Sequence, residues 1–329
     1  MARGAMVFRT RLTERLGIRH PILSAPMAFA GGGALAAAVS AAGGLGLIGG
    51  GYGDAAWLDD QFAAAGNQRV GAGFITWSLA KSPHLLDQVL ARAPAAVMLS
   101  FGDPRAFGER IRATGAALIC QVQTLAHARD AIEAGADVVV AQGAEAGGHG
   151  QTRGTFTLVP EVADLLARES PKTVLVAAGG IADGRGLAAA LMLGADGVLM
   201  GSRFWASKEA LVHAKFQEAA VKTSGDGTVR QRATDIARGY DWPRTFTARV
   251  LDNAFVREWE GRETDHRAAA EAQRPAYQSA LVEGDVDRAG VFIGEAVGII
   301  NDVPSAAEIV ERVIDDAARH LKGRGLQLS

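Results

Sequence analysis

The segment EAGADVVVAQGAEAGGHG, residues 133–150, contains in succession the end of a predicted helix, a predicted buried strand and a glycine-rich turn. Gly135 suits the left-handed backbone conformation that commonly ends a helix. Val138–Val140 form an apolar run that is too short for a helix and is bounded by glycines, which is typical of a parallel strand buried on both faces. The segment therefore predicts one helix–strand unit of an α/β fold.

The same pattern recurs along the chain. The segment MLGADGVLM, residues 192–200, again ends a helix with a glycine and begins a strand, and the weaker form TGA at residues 114–116 precedes another strand. Candidate strands centre on residues 22–24, 45–48, 70–74, 96–99, 118–121, 138–140, 174–177 and 198–200. Alanine-rich helical stretches lie between them. Eight strand–helix repeats predict a TIM (β/α)8 barrel, and an open, doubly wound α/β sheet is the alternative.

The pattern changes after the eighth candidate strand. Over residues 205–300 valine-rich strands are absent, and helical periodicity is present around residues 208–222 and 248–259. An amphipathic stretch over residues 305–321 follows, with an apolar face that would cover the barrel. We therefore predict a barrel over residues 1–204 that residues 301–329 complete. Residues 205–300 are predicted to form a helical subdomain on the substrate side, over the barrel mouth.

Composition limits the classes of function. The chain has 329 residues, of which 48% are hydrophobic, so it can bury a large core. Its formal net charge is −2. It has no basic run with interleaved aromatic residues, which argues against nucleic acid or a membrane as its partner. No signal-peptide pattern and no apolar stretch of bilayer length is found, so we expect a cytoplasmic protein. Cys120, the single cysteine, lies in an apolar run and is expected to pack in the core.

His149 is the main candidate for catalysis. It lies in the glycine-rich turn that follows the sixth candidate strand, at the end of the barrel where such folds place their chemistry. Gly147, Gly148 and Gly150 leave space around the imidazole for a flat ligand, and an imidazole exchanges protons near neutral pH. Glu145 shares the turn, but its spacing to His149 does not suggest a metal site, and a structural hydrogen bond is the better interpretation.

Two loops are candidates for binding phosphate. Ala178, Gly179 and Gly180 follow the seventh candidate strand, and Gly201 and Ser202 follow the eighth. Both loops would expose backbone N–H groups at the start of a helix, and in TIM barrels a phosphate commonly binds at these two loops. We therefore expect a phosphosugar or a phosphorylated cofactor.

The segment RGYDWP, residues 238–243, is rich in aromatic residues and ends in a proline. Tyr240 and Trp242 either line a pocket or hold a loop in place, and the second interpretation is favoured.

Four segments resemble the nitronate monooxygenase family, formerly called 2-nitropropane dioxygenases. These are HPILSAPM at residues 20–27, QGAEAGGHG at 142–150, AAGGIADGRG at 177–186 and LGADGVLMGSRF at 193–204. The resemblance implies a barrel that binds FMN non-covalently and oxidises alkyl nitronates with O₂ through a flavin semiquinone, with nitroalkanes as further candidate substrates. His149 matches the active-site histidine of the family, which can remove a proton from a neutral nitroalkane.

The resemblance also implies roles for the residues expected around the flavin. Ala25, Pro26 and Met27 are similar to backbone beside the isoalloxazine ring, and Gln121 and Gln142 to side chains that hydrogen-bond the flavin. Gly147 and Gly148 would pass close to the cofactor, while Ala178, Gly179, Gly180, Gly201 and Ser202 would hold its phosphate. Where many members carry an asparagine in the third-strand segment this chain has Thr76 nearby, which becomes the expected flavin contact. Ala178 stands where a serine is frequent.

Other functions fit parts of this pattern. An NAD(P)H-dependent FMN reductase of the enoyl-acyl-carrier-protein reductase or quinone reductase type is the main alternative, since these enzymes resemble the chain in the same loops. A flavin-free phosphosugar isomerase or aldolase, or a non-catalytic FMN-binding protein, would also use the phosphate loops. The expected partners are a small alkyl nitronate and O₂, and a homodimer is one expected assembly.

Overall fold

The computed structural model describes residues 8–323, so residues 1–7 and 324–329 of the predicted barrel segments lie outside the described residues. The strands are β1 (Ile22–Ser24), β2 (Leu47–Gly49), β3 (Gly71–Ile75), β4 (Ala96–Ser100), β5 (Ala117–Val122), β6 (Val138–Gln142), β7 (Gly148–Gly150), β8 (Val174–Ala178), β9 (Gly197–Met200), β10 (Thr228–Gln231) and β11 (Thr247–Leu251). Each of the eight predicted barrel strands overlaps one of these.

The sheet formed by β1–β6, β8 and β9 is a barrel. All its neighbouring strands are parallel, in the order β1-β9-β8-β6-β5-β4-β3-β2. A parallel bridge between Leu23 of β1 and Leu45, just before β2, joins the two edges of the sheet. The predicted (β/α)8 barrel is therefore confirmed, and the open doubly wound alternative is wrong.

Helices surround the barrel and continue beyond it. They are α1 (Arg11–Leu16), α2 (Gly33–Ala41), α3 (Ala55–Ala65), α4 (Thr76–Leu79), α5 (His84–Leu90), α6 (Arg105–Ala113), α7 (Leu125–Glu133), α8 (Thr155–Glu169), α9 (Gly184–Met192), α10 (Ser202–Trp205), α11 (Ala214–Ala220), α12 (Ala233–Arg238), α13 (Ala254–Trp259), α14 (Glu263–Glu283) and α15 (Ala306–Gly323). No helix within residues 8–323 is long and apolar enough to cross a membrane.

Alternation along the strands builds two apolar layers. In β6, Val138 and Val140 belong to the cluster inside the barrel, whereas Val139 packs in the cluster between the strands and the helices. Cys120 lies buried in the outer layer, as expected for a core residue. The buried face of α15 includes Val310 and packs in this layer too, which confirms the predicted amphipathic helix.

The segment over residues 205–300 is not wholly helical, which corrects the prediction. β10 and β11 pair antiparallel, and β11 also pairs with β7, the strand within the glycine-rich turn. The predicted helix over residues 248–259 therefore begins as a strand, and α13 starts only at Ala254. These strands are short and carry half-buried polar side chains, so they lack the valine-rich pattern of the barrel strands.

Candidate active site

A cavity of about 480 Å³ opens at the carboxyl ends of the barrel strands. Its size and position are those of a ligand site in this fold. The segment over residues 205–300 contributes one wall, which includes Val212, Phe216 and Leu281. The lining contains nearly all the predicted site residues, namely Ala25, Pro26, Met27, Gln121, Gln142, Gly147, Gly148, His149, Ala178, Gly179, Gly180, Gly201 and Ser202.

Thr76 is the predicted site residue that the structure does not place in this lining. It begins α4, its side chain is buried, and its hydroxyl has no hydrogen-bond partner among the described residues. Ile75, the last residue of β3, lines the cavity instead. The chain turns into α4 directly after Ile75. The Thr76 side chain packs closely against Gly102, and a Cβ on Gly102 would lie 2.9 Å from the Thr76 Cβ.

His149 is held by a carboxylate that comes from a distant part of the chain. It pairs in β7 with Ala248 of β11, and it is buried. Its Nε2 lies 2.9 Å from each carboxylate oxygen of Asp235, on α12. Because an ionised carboxylate only accepts hydrogen bonds, Nε2 carries the proton in the neutral ring and donates it to Asp235. Nδ1 then has the lone pair, and it has no hydrogen-bond partner among residues 8–323 and is not enclosed by protein.

The charge state of His149 follows from opposing effects. Burial lowers the pKa of His149 below its usual value of 6.5, and the nearby Arg238 and Arg230 act in the same direction. The hydrogen bond and negative charge of Asp235 oppose this shift. The net direction is downward, so the imidazole is neutral at pH 7 and its Nδ1 can accept a proton.

Aromatic side chains fix the plane of the imidazole. Trp242 stacks on His149 with ring centroids 3.4 Å apart and planes 6° apart, and its Nε1 donates a hydrogen bond to Tyr52 Oη at 3.1 Å. Tyr52 in turn stacks on Tyr240 at 3.7 Å. Phe101, in a left-handed conformation with φ 64°, packs edge-on to both Trp242 and His149. Trp242 therefore holds the candidate catalytic residue in place and does not itself line the cavity.

The glycine-rich turn is anchored by arginines and by close backbone packing. Arg230 and Arg249 each donate a hydrogen bond to the carbonyl oxygen of Ala144 at 3.1 Å. A Cβ on Gly147 would lie 2.5 Å from the backbone of Ile293, a distance that real Cβ atoms do not adopt. This position therefore requires glycine, and the turn packs directly on the segment that covers it.

Gln142 is already committed to the protein. Its Oε1 accepts hydrogen bonds from Gln121 at 3.1 Å and Gln123 at 2.8 Å, and its Nε2 donates to the carbonyl oxygen of His149 at 3.1 Å. Gln121 makes only the first of these bonds among the described residues, which leaves its carbonyl oxygen free at the cavity wall. Of the two predicted glutamines, Gln121 is thus the better placed to contact a ligand directly.

The two predicted phosphate loops both line the cavity. Gly179 and Gly180 have φ values of 100° and 73°, which favour glycine. Within the described chain, the backbone N–H groups of Gly179, Gly180 and Gly201 have no acceptor in the protein. The hydroxyl of Ser202 accepts a hydrogen bond from the Gly294 N–H and keeps its own proton to donate. These unpaired donors fit an anion such as a phosphate.

Glu145 has the structural role expected for it. Its carboxylate accepts hydrogen bonds from the backbone N–H of Thr155 at 3.0 Å and from the Thr155 hydroxyl at 2.8 Å, at the start of α8. In residues 8–323, no three His, Cys, Asp or Glu side chains are grouped as metal ligands would be.

Comparison with known proteins identifies the family. A model of the nitronate monooxygenase family matches residues 9–70 and 75–316. The chain belongs to the nitronate monooxygenase family. It is 38% identical to nitronate monooxygenase npaC of Metarhizium robertsii, over 90% of each chain, and 34% identical to a nitronate monooxygenase of Neurospora crassa, over 92% of this chain and 90% of that one. The structure of FabK from Thermotoga maritima is also similar, with 34% identity, a TM-score of 0.83 and coverage of 95% of this chain and 97% of that one.

Membership of the nitronate monooxygenase family makes the protein an oxidoreductase, in a family of flavoenzymes. The sequence motifs locate the barrel part of the site, but they do not reveal Asp235, Arg238 or Tyr52. All three lie at or next to the cavity in the structure. Asp235 and Arg238 both lie on α12, whereas Tyr52 lies in a distant part of the chain. Nothing in the sequence around α12 indicates that this helix lies against the glycine-rich turn.

Proposed function

We propose that the protein oxidises alkyl nitronates with O₂, using non-covalent FMN, and that it also accepts neutral nitroalkanes. The observation that carries this proposal is the arrangement of His149, with Nε2 bound to Asp235 and Nδ1 unpaired among the described residues, at the cavity. This is the geometry of a general base whose orientation and tautomer are fixed by a carboxylate.

The base is needed only for the neutral substrate. In a nitroalkane the C–H bond next to the nitro group breaks, its proton moves to His149 Nδ1, and its electron pair becomes the negative charge on the nitro oxygens. Asp235 stabilises the imidazolium that forms, and the Trp242 face keeps the ring from rotating. A nitronate enters already deprotonated, so it does not require this step.

The residues present fit FMN. The unpaired N–H groups of Gly179, Gly180 and Gly201 and the Ser202 hydroxyl would hold its phosphate, as in other barrels of this fold. The backbone at residues 25–27, together with Gln121, would lie along the ring system. When bound, FMN takes up electrons from the nitronate and passes them to O₂.

We further propose that residues 205–300 form the substrate-side unit. The wall that this segment contributes contains Val212, Phe216 and Leu281, whose side chains are apolar. An alkyl chain would be stabilised there by burial of its apolar surface. This supports a substrate with a hydrocarbon tail next to its nitro or nitronate group.

The substitution His149→Asn tests the role of the base. We expect the variant to keep FMN, because the phosphate loops are unchanged, and to keep most of its activity on propyl-2-nitronate, because that substrate enters already deprotonated. Activity on 2-nitropropane should fall by about 10²- to 10⁴-fold, the usual contribution of a general base. His84→Asn, at an exposed position on α5, is the matched control and should behave like the wild type. Equal losses on both substrates with FMN retained would contradict the proposed role.

An NAD(P)H-dependent FMN reductase is the second candidate function, since such enzymes resemble the chain in the glycine-rich turn and the phosphate loops, and the structure is also similar to that of FabK. A reductase of this kind would take electrons from NADH or NADPH rather than from a nitronate. Reduction of the bound flavin under anaerobic conditions distinguishes the two, because each candidate function uses a different electron donor.

A further inference from the structure

Arg238 occupies an unusual place in the cavity lining. It is half-buried at the end of α12, one turn after Asp235. Among the described residues that line the cavity, Arg238 alone carries a permanent charge, since the lining includes no Asp, Glu or Lys and no second Arg. Within residues 8–323 its guanidinium forms neither a hydrogen bond nor an ion pair. A guanidinium has five N–H donors, and leaving them unpaired in a partly buried site costs free energy.

Aromatic rings hold the guanidinium without satisfying its donors. Its Cζ lies 4.6 Å from the ring centroid of Tyr240, 5.2 Å from that of Phe292 and 5.3 Å from that of Tyr52. Such contacts stabilise the positive charge and restrict the side chain, but the rings offer no acceptor in the plane of the guanidinium. The N–H groups are therefore fixed in position and available to bind a ligand.

The ligand must be close to the base. Phe292 contacts both groups, since its ring centroid lies 6.2 Å from that of His149 and 5.2 Å from the Arg238 Cζ. Asp235, the carboxylate on the same helix, is already bound to His149 and, in the described part of the chain, forms no hydrogen bond with Arg238. An anion that approaches His149 through the cavity would thus meet an unpaired guanidinium.

We propose that Arg238 binds the two oxygen atoms of the nitronate group. This role rests on the proposed function, because the charge that Arg238 recognises is that of the proposed substrate. A nitronate is planar and bears its negative charge on two oxygens, which match the paired N–H groups of a guanidinium. With a neutral nitroalkane, Arg238 stabilises the charge that develops on the nitro oxygens as His149 takes the proton. Arg238 therefore serves both substrates, whereas His149 and Asp235 serve only the neutral one.

Binding of an unreactive anion tests this proposal without turnover. Isobutyrate has the charge and about the size of propyl-2-nitronate and likewise carries two oxygens on one trigonal atom, and isobutyramide is its neutral counterpart. Titrated into the FMN-loaded wild type and followed by the visible spectrum, isobutyrate should bind more tightly than isobutyramide. Arg238→Met should weaken isobutyrate binding by about 10- to 100-fold, as expected for loss of hydrogen bonds to a charged group, and leave isobutyramide binding unchanged. Arg244→Met, at an exposed position outside the lining, removes the same charge and should have no effect.

The outcomes separate this proposal from the proposed function. Equal isobutyrate binding by the wild type and Arg238→Met, or no isobutyrate binding by the wild type, would overturn the role of Arg238. Arginine-dependent binding without oxidation of any nitronate would support the anion site while contradicting the proposed function. If Arg238→Met does not fold, Arg238→Lys replaces it, and a smaller but distinct loss is expected because a lysine keeps the charge without the paired donors.

Discussion

Replacing Asp235 with asparagine should abolish most proton abstraction while sparing nitronate oxidation. When His149 accepts a proton, the new positive charge lies about 4 Å from the Asp235 carboxylate, which contributes about 4 kcal/mol at an effective dielectric constant of about 20. Both side chains are buried, with 8% and 3% exposed, so solvent screens this attraction little. Loss of this attraction corresponds to about a thousandfold decrease in kcat/KM for 2-nitropropane. In the variant, the side-chain carbonyl of the asparagine can accept a hydrogen bond from Nε2, or its NH2 group can donate one to Nε2. The second arrangement would place the ring proton on Nδ1 and remove the base.

The assay compares kcat/KM for 2-nitropropane and propyl-2-nitronate across pH. For the wild type, activity on 2-nitropropane should fall in acid as His149 becomes protonated, below its ordinary pKa of 6.5. Since Asp235 raises the pKa of His149, its removal should move this acid limb to lower pH, a change that a purely structural role would not produce. Asp241→Asn, at an exposed position, is the control. The proposed role of Asp235 is refuted if Asp235→Asn retains FMN and loses activity equally on both substrates, or loses none.

Two further predictions concern stability. Gly147→Ala should lower the free energy of unfolding by about 1–3 kcal/mol, because the new Cβ would meet the Ile293 backbone. Gly154→Ala is the control, since its Cβ has space and should change the free energy of unfolding little. Chemical denaturation measures both variants. His266 is fully buried against Trp259 with both ring nitrogens unpaired among the described residues, and burial lowers its pKa from 6.5 to about 4. The pKa of His266 in the folded state lies below the unfolded value, so its contribution to stability is retained above pH 6.5 and lost as pH falls toward 4. Between pH 7 and pH 5 this loss is up to about 2 kcal/mol, and denaturation of His266→Phe should show a correspondingly weaker pH dependence; an unchanged dependence would contradict the assignment.

The barrel could be predicted because its strands are buried on both faces. Runs such as Val138–Val140, bounded by glycines and repeated with intervening helices, are typical of parallel barrel strands. The predicted phosphate loops and the turn around His149 follow from the same repeat, since they are the segments after particular strands. Local sequence therefore located the part of the site that the barrel itself supplies.

The remaining part of the site comes from contacts between distant segments. Asp235 lies on α12, between β10 and β11, and β11 pairs with β7 around His149. No local sequence pattern predicts that pairing. β11 includes Arg249, whose half-buried side chain interrupts the apolar pattern expected of a strand. Thr76 lies outside the lining for a different reason, since the chain turns into α4 one residue after the cavity wall, and single-residue precision at a strand end is not encoded in the apolar pattern.

Anaerobic reduction of the bound flavin decides between nitronate oxidation and the reductase function. The purified protein, loaded with FMN, is mixed separately with propyl-2-nitronate and with NADH, and the visible absorbance is followed. For a nitronate-oxidising enzyme we expect rapid loss of the oxidised flavin spectrum with the nitronate and little change with NADH. Rapid bleaching by NADH with no response to the nitronate would rule out nitronate oxidation and favour a reductase.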